Sequence, residues 1–373
     1  MVKISEEIKV IKKIKKFINL KNLDGYIIPK NDNYFTEYSK TNNLARLTKF
    51  TGSAGFALIL KNKNYLFVDG RYTLQAQRQS GNKFKILQIP YFFPKDLENI
   101  ENCNIGFDPK LFTEKTIKNY FGNLINLIPE EFNFKNKLER KVNKVFGLNK
   151  LVTGESSISK INKVKKFMHK NKINYMYISA SENVNWLLNI RGKDLPNSPL
   201  VNSKLLISDK NKLYLFIDLR KISKQMKRYL KNFILLGEKN LLKVLSNLKN
   251  GSFSIDKHTC SIFEEKIIYS KFDIKNFNDP IYELKSIKNK IEIQNTKEAH
   301  IEDGVALTKF LYWFKNNKKK ITEKKIETKL ERFRKKSNNY LYPSFDTIAG
   351  SGPNGAIIHY KSNNQTNRNL KKN

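Results

Sequence analysis

Apolar residues recur at helical spacing over residues 6 to 19, where Ile8, Ile11, Ile14, Phe17 and Ile18 share one face. Asp24-Gly25 punctuates the chain after it, and Tyr26-Ile27-Ile28 predicts a short buried strand. Phe50 and the loop Thr51-Gly52-Ser53-Ala54-Gly55 then lead into "ALILKNKNYLFVDGR", residues 57 to 71. Its two apolar arms flank a Lys-Asn turn, which predicts a β-hairpin.

The same series returns once. "KKF" at 15 to 17 recurs at 165 to 167, "DGYIIPKNDN" is answered by "NYMYISASEN", and "YLFVDGR" at 65 to 71 by "YLFIDLR" at 214 to 220. The offsets are 150 and 149 residues, and order, spacing and element type agree. Two homologous α/β domains are therefore expected, each mixing helices with a sheet that contains the matched hairpin. After Asp279-Pro280 the pattern changes. From Leu284 it is long and helical, and a second helix is expected from about Thr322 to Lys336.

"SFDTIAGSGPNGAIIHY" follows at 344 to 360. Gly350, Gly352 and Gly355 spell the G-x-G-x-x-G spacing of dinucleotide-binding turns, yet Pro353 interrupts it and the β-branched run Ala356-Ile357-Ile358-His359-Tyr360 reads as a strand where that motif needs a helix. There is no Gly-Lys-Ser/Thr for a P-loop either. A tight loop entering a strand is the local expectation.

A length of 373 residues suggests two or three domains, and 39% apolar with 12% aromatic residues suffices for buried cores. No run reaches the eighteen or so apolar residues of a membrane span. Met1-Val-Lys-Ile-Ser-Glu-Glu reads as a helix start capped by Ser5 rather than a signal peptide, so a cytoplasmic location is expected. Cys103 and Cys260 show no C-x-x-C spacing and read as buried thiols. The net charge of +37 comes from 71 basic against 34 acidic residues, but the lysines are spread over every segment. Even the densest run, 315 to 320, separates two helical patterns. Non-specific polyanion binding at low salt follows; a specific nucleic-acid partner does not.

Several stretches resemble one family in its own order: "YIIPKNDNYFTEY", "FTGSAGFALI" and "FVDGRYTLQAQRQ" first, "NVNWLLNIRGKDLPNSPL" next, then "LKSIKNKIEIQNTKEAHIEDGVALTKFLYWF" and "SFDTIAGSGPNGAIIHY". The chain resembles the three-domain Xaa-Pro aminopeptidases of the creatinase/methionine-aminopeptidase "pita-bread" superfamily. The resemblance implies an α/β fold: a creatinase-type N-terminal domain over 1–143, a second over 144–283, and the beginning of an α+β pita-bread peptidase domain over 284–373. It also implies removal of an N-terminal residue from peptides with proline in second place, a homodimer, and two divalent metal ions, usually manganese. The family's metal ligands, two aspartates, a histidine and two glutamates, lie downstream of the His-Tyr motif. Here Tyr360 is followed only by "KSNNQTNRNLKKN", which has no acidic residue, so an inactive, truncated fragment without bound metal is expected. A non-catalytic peptide-binding or dimerisation module is the alternative.

Residue by residue, the resemblance assigns His359 to the substrate pocket near the scissile bond and Arg71 to a peptide in the neighbouring subunit of a dimer. Read alone, His359 would be a strand-end histidine satisfied by backbone, and Arg71 a surface ion pair. Trp186 reads as packing and Arg191 as structural before substrate-binding. His300 and Asp303, at i and i+3 on one helix, could share a metal, but a surface or capping role is the plainer reading, as it is for Glu302 and Asp346.

Overall fold

Helix α1, Glu6–Leu20, turns Val10, Ile14 and Ile18 inward, four residues apart on one stripe. The computed structural model describes residues 6–36, 38, 41–123, 125–134, 142–317 and 319–371. The cap expected at Ser5, and Lys318 of the basic run, lie outside the described residues. Among them no helix is long and apolar enough to cross a membrane. The chain divides into two compact units, residues 1–150 with 155–287, and residues 151–154 with 288–373.

The first unit holds two six-stranded sheets. One is built from β1 (Gly25–Pro29), β2 (Phe56–Leu60), β3 (Asn64–Asp69), β4 (Lys85–Ile89), β5 (Asn104–Phe107) and β6 (Asn126–Pro129), in the order β4-β3-β2-β1-β5-β6. The other uses β7 (Tyr175–Ile178), β8 (Ser203–Ser208), β9 (Leu213–Ile217), β10 (Ile234–Leu236), β11 (Ser252–Ile255) and β12 (Asp273–Asn276), in the order β10-β9-β8-β7-β11-β12. The two orders are the same topology twice. Each hairpin pairs its two arms antiparallel, Phe56 with Phe67 in the first and Lys204 with Phe216 in the second. The internal repeat read from the sequence is thus a repeat of fold.

The pleat explains the pattern. Tyr26 and Ile28 of β1 join Ile14 and Ile18 on one side, while Ile27 joins Ile105, Ile117 and Phe121 on the other. A central strand covered on both faces must be apolar at every position, and each such side chain contributes about 1.5–3 kcal/mol relative to exposure. In the second copy helix α2, Ser157–Lys170, places Ile161, Val164 and Met168 against Met176 and Ile178. Gly55, just before β2, stands at φ 152°, and a Cβ there would meet the Phe67 carbonyl oxygen at 2.7 Å, so only glycine fits this close approach to β3. Cys260 is buried and Cys103 half-buried, both free. Burial pushes the Cys260 thiol well above its ordinary range.

In the second unit, α4 (Lys290–Asn316) and α5 (Glu323–Arg334) run close to the helices expected there; α3, Ser181–Leu188, belongs to the first unit. Asn289 caps α4 by accepting from the amides of Ile291 and Glu292, and Glu292 accepts back from the Asn289 amide. Arg334 joins the two helices through Asp303, Nε to Oδ1 at 2.6 Å. Ala306, Phe310 and Leu330 are the buried apolar residues of the pair.

Candidate functional site

The glycine-rich segment does not enter a strand. Gly352–Ala356 is a turn of 3₁₀ helix, Ile357 and Tyr360 close further turns onto Asn354 and Ile357, and His359 stands at φ 52°. The strand expected over 356 to 360 is therefore corrected. A β-branched run needs a neighbouring strand to pair with, and among the described residues this unit offers only the isolated bridge Thr322–Asn369. His359 is exposed, its ring edge-on to Phe345 with centroids 5.4 Å apart. It is not at a strand end.

The turn does hold an anion, and that anion is part of the chain. Glu323, 1% exposed at the first position of α5, accepts from the Ser351 amide at 2.6 Å and the Arg368 amide at 2.9 Å. Asn354 Nδ2 donates to both of its oxygens at 3.0 Å, and the buried Tyr360 hydroxyl donates at 2.9 Å. Burial works to raise this carboxyl, yet the amides of Ser351 and Arg368, with Asn354 and Tyr360, hold it below the usual range. Sequence reasoning missed Glu323, because a glutamate in a helix's first turn is ordinarily a partner for the helix dipole.

Arg71 follows β3 in the first unit. Asp69 caps the short 3₁₀ turn Gly70–Tyr72 by accepting from the Arg71 amide, and the guanidinium returns to the same carboxylate, Nε to Oδ1 at 3.1 Å and Nη2 to Oδ2 at 2.7 Å. Arg220 and Asp218 repeat this at the end of β9, at 3.0 and 2.7 Å, and that pairing lowers the Asp218 carboxyl. The fork is thus a feature of the repeated hairpin. Beside Arg71 the Tyr72 ring lies 5.3 Å from the guanidinium carbon, and the Tyr72 and Ser53 hydroxyls are 2.7 Å apart.

Apart from His300, the remaining candidates are engaged structurally. Asp303 pairs with Arg334, Glu302 accepts from Ser337 and Asn339, and Asp346 pairs with Lys361 at 2.9 Å. His300 lies exposed on α4. Arg191 donates to the carbonyls of Asn185 and Ile190, and Trp186 packs over the buried Lys160 ammonium at 3.8 Å. Among the described residues no three His, Cys, Asp or Glu side chains gather where they could hold a metal ion.

Residues 11–131 and 136–292 each match a Creatinase/Prolidase N-terminal domain, and residues 294–373 match metallopeptidase family M24. The chain is 31% identical, over 98% of its length, to Xaa-Pro aminopeptidase 1 of Dictyostelium discoideum, and 28% identical, over 94%, to a probable Xaa-Pro aminopeptidase P of Laccaria bicolor. It spans 63% and 58% of those two proteins. The solved X-prolyl aminopeptidase from Caenorhabditis elegans, described as a cytosolic enzyme with a di-nuclear active site, shares the fold with a TM-score of 0.89 over 98% of this chain and 65% of its own, at 23% identity. The chain thus consists of two creatinase/prolidase-type N-terminal domains followed by sequence of metallopeptidase family M24, and it is similar along nearly its whole length to Xaa-Pro aminopeptidases.

Proposed function

We propose that the protein serves the metal-dependent removal of an N-terminal residue that precedes proline. The observation carrying this reading is the 31% identity to Xaa-Pro aminopeptidase 1 across 98% of the chain. The substrate is a peptide with proline in second place, the assembly a homodimer, the location cytoplasmic and the metals two divalent ions, manganese by preference. Domain limits at 143 and 283 go with it. His359 would hydrogen-bond the peptide near the scissile bond, for which an exposed imidazole after a tight turn is suited. Arg71 would reach a peptide held by the partner subunit, exchanging part of its fork on Asp69 for a peptide carbonyl or carboxylate.

Two bridged metal ions need several carboxylates in fixed geometry. The described residues do not fit that group: no three donors gather, and Asp303, Asp346 and Glu323 are occupied by Arg334, Lys361 and the 351–368 turn. No chemical step through metal follows from these residues. A second reading is a non-catalytic peptide-binding or dimerisation module of the same fold.

The test is an assay of Xaa-Pro peptide hydrolysis with manganese, on the chain alone and on the chain extended by the remaining M24 segment of the Dictyostelium relative. Turnover by the extended protein alone supports the proposal. Peptide binding by both without turnover supports the second reading, and neither binding nor turnover by a folded extended protein overturns both.

A further inference from the structure

The two copies of the α/β fold differ at one equivalent place. In each, an aspartate follows the second parallel strand: Asp108 after β5 and Asp256 after β11. Asp256 is closed in by protein. Its Oδ1 accepts from the His258 amide at 2.8 Å, its Oδ2 from the Asp279 amide at 2.9 Å, and it is 6% exposed. The Asp108 carboxylate accepts one hydrogen bond among the described residues, from the Lys110 amide to Oδ1 at 2.9 Å. It lines a cavity of about 570 Å³.

That cavity opens beyond the carboxyl ends of β1, β5 and β6, where β1 has an antiparallel neighbour on one side and the parallel β5 on the other. Such switch points in open α/β sheets are where ligands bind, and the volume lies in the range of small-molecule sites. In a chain with 71 basic and 34 acidic residues, the lining holds Asp32, Asp108, Glu131 and Asp194 against Lys221 as its one basic residue among those described. Lys221 is taken up by Asp194 at 2.6 Å, and Glu131 pairs with Lys110. Asp32 Oδ1 accepts from the amides of Tyr34 and Thr36. Burial first, then the charge on Glu131, pushes the Asp108 carboxyl up, while the Lys110 amide opposes this. Aromatic rings form an adjoining wall, with Phe132 and Phe134 edge to face at 4.9 Å. A further lining residue, Asn43, carries a side-chain carbonyl oxygen that is buried without a hydrogen-bond partner among the described residues.

We propose that this cavity binds a small organic ammonium ion, its charged head on Asp108 and its apolar body against Phe132 and Phe134. A cation meets the open carboxylate oxygen with a charge-assisted hydrogen bond, and the ring faces attract the same charge. The second copy has no room for such a ligand at Asp256, since the protein's own amides fill the position.

The experiment is calorimetric titration of the whole chain with phenethylammonium chloride, with 2-phenylethanol and phenylacetate as neutral and anionic bodies of matching shape. Saturable binding of the ammonium alone is expected. Asp108→Asn should weaken it by at least about tenfold, the loss of one hydrogen bond to a charged group, whereas Asp256→Asn should leave it unchanged. Leu111→Trp, which fills the cavity and keeps Asp108, should abolish binding and decides the matter if Asp108→Asn does not fold. No saturable binding to the unmodified chain, equal binding of the alcohol, or undiminished binding by the folded Asp108→Asn or Leu111→Trp variant overturns the proposal.

Discussion

The hydroxyl of Tyr360 donates to Glu323 Oε2 at 2.9 Å across 37 residues of sequence, and both groups are buried. This bond ties the end of the glycine-rich turn to the start of α5. Glu323 also takes the amides of Ser351 and Arg368, so one carboxylate organises a segment that has no strand ladder of its own.

Glu323→Ala should therefore loosen residues 344 to 371 before anything else. The Ser351 and Arg368 amides are partly buried, so losing their bonds costs about 1–3 kcal/mol in all, taking about 0.5–1.5 kcal/mol for each hydrogen bond. Limited proteolysis should cut this segment first in the variant, while fragments of the first unit persist. An unchanged cleavage pattern would mean that the carboxylate is not the anchor.

The same residue sets a pH dependence. The Glu323 carboxyl lies below its ordinary 4.5 when folded, so its contribution is fully present above that value and is lost as pH falls through the folded value. Hydrogen exchange of the 351 to 368 amides should accelerate, relative to the intrinsic rate, on acidification below about pH 4.5. Glu323→Gln should remove that dependence.

Asp279 should act with the opposite sign. Burial pushes it up to about 6 from an ordinary 3.8, against hydrogen bonds from Asn183 and the Ile281 amide that work to lower it. The folded first unit holds this proton where the unfolded chain has lost it, so stability from this group falls as pH rises between those two values. The loss is about 3 kcal/mol at 1.36 kcal/mol per unit. Urea unfolding of the parent chain minus that of Asp279→Asn, measured across this window, should slope downward with pH. A flat difference would show that Asp279 ionises as freely as in water.

How much of this was legible follows the range of each interaction. Tyr26-Ile27-Ile28 reads as a strand from sequence alone, and the 149 to 150 residue offset carries through to two sheets with one strand order. Periodicity also located α4 and α5. What escaped depends on partners distant in sequence or on a local change of conformation. Glu323 is read as a surface acid unless the 351 to 368 turn is known to fold over it. Ala356-Ile357-Ile358 is β-branched, but strand propensity is realised only against another strand. Asp69 and Arg71, two apart, would share one face of a continuing strand. The shift to 3₁₀ geometry at Gly70 folds the guanidinium onto the carboxylate as a fork.

That fork permits a paired test of the Arg71 assignment. Arg71 and Arg220 make the same ion pair with side chains 54% and 53% exposed, so replacing either with alanine should cost about 1 kcal/mol or less. In the chain extended by the Dictyostelium M24 segment, Arg71→Ala should raise KM for an Xaa-Pro peptide with less effect on kcat, the signature of a contact shared by ground and transition states. Arg220→Ala should leave KM unchanged. Equal behaviour of the two variants would return Arg71 to a purely structural role.

Asn185 offers the sharpest test of what holds the second α/β copy together. It is 0% exposed on α3; its Nδ2 donates to the Ser181 and Val201 carbonyls at 2.6 and 2.8 Å, and its Oδ1 accepts from the Val201 amide at 3.0 Å. The amide thus bonds to both polar backbone groups of Val201, just ahead of β8, and no side chain with only donors or only acceptors can do so. Asn185→Ala leaves the Val201 amide and carbonyl buried without this partner and should destabilise the first unit by about 3 kcal/mol. Asn185→Asp has nearly the same shape and keeps the acceptor for the Val201 amide, but turns a carboxylate oxygen toward two carbonyl oxygens. At neutral pH it should be at least as damaging as alanine, and it should recover part of the loss on acidification, when a protonated carboxyl can donate to one of those carbonyls. Urea midpoints at two pH values separate the outcomes. An aspartate variant that matched the parent at pH 7 would mean that Asn185 Nδ2 does not donate to the Ser181 and Val201 carbonyls.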